Sequence, residues 1–133
     1  MIKVQAQPNQ QAQTQAQAVL QAIPRVRELR EVVRQCHAIN CAPFMPDLRS
    51  HLYFTTEERT YFVEVINEDE VKIMWYPGVV SRFEEVRTVS MQINLRNPHD
   101  VIWLVSNGLV EPLVSALRAR IELIKVWERE LNG

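Results

Sequence analysis

The chain has 133 residues with 15 Lys+Arg against 16 Asp+Glu, a formal net charge of −1, so no overall field is present to hold a polyanion and nucleic-acid binding would need a local basic patch. Apolar residues make up 47% and charged residues 23%, ordinary globular values, and the length suits one domain with a substantial core. No apolar run approaches the roughly 20 residues needed to cross a bilayer, three glycines are too few for a phosphate-cradling loop, and a Gln-rich start stands where an export signal would be apolar, so a cytoplasmic protein without membrane association is expected.

The first 21 residues hold eight glutamines and four alanines with Lys3 as their single charge. Both types are good helix formers. Residues 1–18 are therefore expected to be an arm, flexible or helical, on a single domain spanning 19–133. Ala16, Val19, Leu20, Ile23, Val26, Leu29, Val33 and Cys36 recur at three- and four-residue steps and form one apolar helical stripe across Pro24. Proline suits a first helical turn and disturbs an interior one, so either a kink at Pro24 or two helices, the second beginning there, is expected. Arg25, Arg27, Arg30 and Arg34 alternate with Glu28 and Glu31. Helical ion pairs explain that pattern more simply than a nucleic-acid surface.

Both cysteines lie in RQCHAINCAPFMPD, with His37 between them. Cys36 and Cys41 have a spacing found in zinc sites, and His37, His51 and His99 could complete a ligand set, but no second close pair matches the first. On a continuous helix the two would project about 140° apart, so joint action requires the helix to stop between them. Asn40, Pro43 and Pro46 are suited to stopping it. The simpler reading makes Cys36 a small core residue; a functional disulfide between the two would be unusual in a reducing compartment, no metal or other cofactor is implied, and Cys41, beyond the stripe, keeps the remaining functional possibility.

After Ser50 the periodicity changes. Leu52–Thr55, Arg59–Ile66 and Val71–Tyr76 are rich in aromatic and β-branched residues and separated by charged clusters, the pattern of an antiparallel meander. Tyr76-Pro77-Gly78-Val79 fits a type II turn. Residues 80–87 read equally as a capped helix start, Ser81 with Glu84, or as strand. From Thr88 to Leu95 a strand is clear: Val89, Met91, Ile93 and Leu95 share one face. Asn97-Pro98 reads as a cap and first-turn proline for a short helix, His99–Asn107, ended by Gly108. A last helix, with Pro112 in its first turn, should reach about Leu131. The expected fold is α+β: an N-terminal helix or helices, a central antiparallel sheet of three to five strands, and two C-terminal helices packed on one sheet face.

The last helix has a wide apolar face. Leu113, Leu117, Ile124 and Leu131 fall within about 40° of one another, flanked by Ile121 and Val114 on one side and by Trp127 and Leu123 on the other. That is more than a small sheet needs to cover, so Leu113, Leu117, Ile121, Ile124, Trp127 and Leu131 are candidate interface residues of a homo-oligomer. Arg120 projects about 20° from Leu113, inside the apolar stripe, where it must snorkel, pair with a carboxylate such as Glu128 or Glu64, or grip an anion. A second polar concentration, Asn94, Arg96, Asn97 and His99, sits where a helix N-terminus would expose N–H groups, with Trp75, Tyr76 or Trp103 available to stack a base.

No nucleophile elbow is present, and Glu57-Glu58, Glu68-Asp69-Glu70 and Glu84-Glu85 read as solvated turns rather than acid–base pairs. The expectation is a non-enzymatic interaction module that binds itself, or another protein, through its helices. The alternative is a binder of a nucleotide-like or phosphorylated small ligand, of the kind a phage accessory or anti-defence protein could be.

Overall fold

The computed structural model describes residues 8–39, 41, 52–76 and 88–132. Helix α1 (Pro8–Ala38) leads into strands β1 (Tyr53–Thr55), β2 (Thr60–Val65), β3 (Glu70–Trp75) and β4 (Val89–Asn94), followed by α2 (Pro98–Ser106) and α3 (Val110–Asn132). The architecture is the expected α+β arrangement. The type II turn at Pro77-Gly78, the ambiguous stretch 80–87, and Asn40, Pro43, Pro46 and His51 lie outside the described residues.

The four strands form an antiparallel meander in the order β1-β2-β3-β4. Register places Phe54, Tyr61 and Trp75 in one cross-strand row, Val63, Ile73 and Met91 in the next, and Val65, Val71 and Ile93 in a third. These rows face the helices, because side chains two apart on a strand share a face, and they contribute most of the sheet's share of the core. The opposite face carries Glu64, Lys72 and Gln92 in one row, the polar half of the alternation. The β1–β2 connection is closed by Thr56, whose N–H donates to the Arg59 carbonyl at 2.9 Å and whose hydroxyl accepts from the Glu58 and Arg59 amides. In the β2–β3 connection the Asn67 side chain accepts from the Asp69 amide at 2.9 Å, an Asx turn. Glu57, Glu58, Glu68 and Asp69 are thus turn residues, and Glu70 opens β3.

Helix α1 is continuous through Pro24, so the expectation of two helices divided there is not realised. Proline removes one N–H bond to the preceding turn, a loss a helix of 31 residues can absorb. Its length, about 46 Å at 1.5 Å per residue, exceeds the body it packs against. Leu29, Val32, Val33 and Cys36 are fully covered by α3 and the sheet, with Val26 and Ile39 partly so, whereas Leu20 is 64% exposed. The stripe that is unbroken in sequence is covered only over its C-terminal half.

Helix α2 has the expected cap: the Asn97 carbonyl side chain accepts from the His99 amide at 3.0 Å, and Pro98 occupies the first turn. Its end is a Schellman arrangement. The Leu109 amide reaches the Leu104 carbonyl at 3.0 Å and the Gly108 amide the Val105 carbonyl at 3.1 Å. Gly108 adopts φ +65°, a conformation with little cost only for glycine. The buried pair Leu104 and Leu109 supplies the apolar contact typical of this ending, and α2 and α3 meet at 95°. Helix α3 begins at Val110, with Pro112 in its first turn as expected: the Leu109 carbonyl accepts the Leu113 amide at 3.0 Å, and the proline's missing N–H is one that a first turn leaves unpaired anyway.

Helix α1 packs on α3, α2 and β2, α2 on β4, and α3 on β1. Among the described residues no single helix is long and apolar enough to cross a membrane. Ion pairs trim the α1–α3 contact: Arg25 engages both Glu28 and Glu111, and Arg118 engages Glu28. The alternating charges of α1 serve partly within the helix and partly across to α3.

Candidate functional site

On α3, Leu113, Val114, Leu117, Ile121 and Ile124 are buried in the chain's own core. Four of the expected interface residues, Leu113, Leu117, Ile121 and Ile124, are therefore unavailable to a partner; they are covered by α1 and the sheet, which together need the whole width of the stripe. Beyond Ile124 the situation reverses. Trp127 is 50% and Leu131 75% exposed, with Leu123 at 49%. These three stand at successive four-residue steps, one line along the helix, and Leu131 returns to the angular position of Leu113 and Ile124. The apolar face of α3 continues past the point where the body ends. Val126, also exposed, lies about 140° around the helix from Leu131 and so belongs to another side.

Charges of both signs border this exposed face. Lys125 reaches Glu122 at 3.7 Å, and Glu128, Arg129 and Glu130 are all exposed. At the other overhang, the α1 segment from Pro8 to Pro24 carries no charged residue, and Leu20 is its most exposed large apolar side chain among those described.

The residues considered for a phosphorylated ligand are dispersed or already engaged. Asn97 caps α2, Asn94 accepts from the Arg96 amide at 2.8 Å, and Asp100 accepts the Asn94 amide at 2.8 Å, so a carboxylate of the chain itself occupies the first turn of α2, where an anion is favoured. Arg96 Nε lies 3.1 Å from Asp69, and His99 is exposed. Trp75 stacks on Trp103 with ring centroids 5.9 Å apart and contacts Tyr61, with the Arg59 guanidinium 5.8 Å above Trp75. Tyr76, one residue on, belongs to the opposite side and meets Phe62 edge-on at 6.2 Å. The aromatic side chains expected to line one pocket wall thus divide between two faces.

Arg120 is half-buried, and among the described residues no carboxylate, Glu64 and Glu128 included, lies within ion-pair distance of it. Its positive charge favours the thiolate form of both cysteines. Both thiols are free and buried. The helix does stop between them: the Cys41 amide donates to the Cys36 carbonyl at 2.9 Å, the bond that folds the chain back over the last turn and brings those two side chains together. The Cys36 thiol also points to the Leu117 carbonyl at 3.8 Å. A hydrogen bond from Cys36 to the Cys41 thiolate, followed by burial, raises Cys36 well above an ordinary thiol, and the same bond, aided by Arg120 and opposed by burial, lowers Cys41. His37 is exposed on α1, and among the described residues no group of three His, Cys, Asp or Glu side chains could hold a metal ion.

The chain was compared with known proteins at the level of families, curated sequences and solved structures, and it matches no family model, no curated protein and no solved structure.

Proposed function

We propose that the protein is a non-enzymatic interaction module that assembles with a second copy of itself through the overhanging end of α3. The observation that carries this reading is the continuation of the α3 apolar face, as Trp127 and Leu131, past Ile124, the last buried residue of the helix, with Leu123 exposed on its flank. An exposed aromatic flanked by leucines on a rigid helix has the composition of an interface centre. The bordering charges are of both signs, Glu122, Glu128 and Glu130 with Lys125 and Arg129, so they select no strongly charged partner and can pair with themselves across a two-fold axis, as a symmetric interface requires. Four-residue ridges of this kind interdigitate when two helices cross. Leu20 on α1 is a further uncovered large apolar side chain.

Sedimentation of the full chain at about 50 μM, a concentration that populates micromolar complexes, is expected to show a species larger than the monomer. The double substitution Trp127→Glu with Leu131→Glu should return it to monomer with an unchanged circular dichroism spectrum. A wild-type chain that sediments only as monomer would overturn the reading.

A further inference from the structure

We propose that Cys36 and Cys41 are a reversible dithiol–disulfide pair, which on oxidation clamps the end of α1. The geometry of the helix end carries it. The Cys41 amide donates to the Cys36 carbonyl at 2.9 Å, so the chain turns back over the last turn and the two residues, five apart in sequence, close a single short ring; both thiols are free and buried in the same core cluster. The opposite shifts of the two thiols, Cys36 raised and Cys41 lowered by their mutual bond, are in keeping with that pairing. The position is also suited to access, since helix ends open locally at lower cost than helix interiors.

The chemistry needs an oxidant, and a low-molecular-weight disulfide supplies it. Cys41, the residue whose thiolate is favoured, attacks one sulfur of that disulfide; its S–S bond breaks, and the expelled thiolate takes up the proton Cys41 has lost. The Cys36 thiol then gives up its proton and attacks the Cys41 sulfur of the mixed disulfide, expelling the second small thiolate, which is protonated in turn. The protein dithiol has lost two electrons and two protons, and the small disulfide has become two thiols. The ring closed between residues 36 and 41 is short, so the link adds little through loop entropy; it is suited to forming and breaking with redox conditions rather than to permanent reinforcement. Once it forms, Leu117 loses the thiol that faced its carbonyl, so the change is felt directly on α3.

The test is treatment of the folded full-length protein with oxidised glutathione, followed by alkylation and mass analysis with and without dithiothreitol. The expected product is monomeric by non-reducing electrophoresis in denaturant, lighter by two hydrogens, unalkylated at both cysteines, with a linked Cys36–Cys41 peptide, and fully restored by reductant. Cys36→Ser should instead hold glutathione on Cys41. A wild-type chain that stays reduced, keeps glutathione, or cross-links between copies would overturn the proposal, and these outcomes need no variant to fold.

Discussion

Helices α1 and α3 each have a covered stretch and an uncovered one, and the apolar stripe of each supplies leucines to both. Leu29 and Val33 on α1, and Leu117 and Ile121 on α3, are sealed in the core, whereas Leu20 on the one helix and Leu131 on the other stand in solvent. The difference is one of length. The helices rise 1.5 Å per residue regardless of what lies beside them, while the sheet they cover has strands of no more than six residues. Apolar pattern specifies which side of a helix faces inward; the extent of the neighbouring layer decides how far along the helix there is an inside.

The covered stretch should be where truncation is most costly. Leu29→Ala or Leu117→Ala removes a fully buried side chain and is expected to cost about 3 kcal/mol in urea unfolding; a loss under a third of that would mean the α1–α3 contact is loosely packed. Next in size are the junction residues that set where the covered stretch begins. Asn97→Ala, which leaves the His99 amide without its cap, should cost about 1 kcal/mol. Gly108→Ala should cost a similar amount, about 1 kcal/mol, from backbone conformation alone, since a Cβ there would meet nothing within 4 Å; a much larger loss would show that the turn is crowded.

The uncovered stretch should respond oppositely. Leu20→Ala and Leu131→Ala, measured at concentrations low enough to keep the chain monomeric, should change stability by no more than about 0.5 kcal/mol, and their effect should emerge only in sedimentation at high concentration. Equal losses at Leu131 and Leu117 in the monomer would erase the distinction between the two stretches.

The smallest effect expected is electrostatic. The Arg25 guanidinium, bonded to Glu111, holds that carboxylate below its ordinary range. A depressed carboxylate contributes stability that is present above its unfolded value, about 4.3, and is lost as pH falls through the depressed folded value. Both side chains are exposed at the surface, so the contribution is small and screened. The stability difference between wild type and Glu111→Gln should be detectable at neutral pH in low salt and vanish in strong acid or at high ionic strength.

Much of the fold was legible before any coordinates. The alternation from Val89 to Leu95 defined β4 because one face of a sheet was wet, and Asn97-Pro98 with Gly108 bracketed α2 because capping and positive φ have few solutions. The Cys36–Cys41 pair was legible as a condition: the two could act together only if the helix ended between them, and it does. The interface was less so, since Leu113 and Leu131 are indistinguishable by spacing and differ only in what lies opposite.

What the sequence determined by itself is local: the type, order and inward face of each element, because backbone sterics, capping chemistry and hydrophobic period act over a few residues. What only the tertiary structure decided is which of those inward faces found cover, and that Trp75 and Tyr76 part to opposite sides of the sheet, each with its own ring partners. Those outcomes depend on register, crossing angle and length relative to a neighbour, quantities set by residues far apart in the chain that carry no signature at the positions they govern.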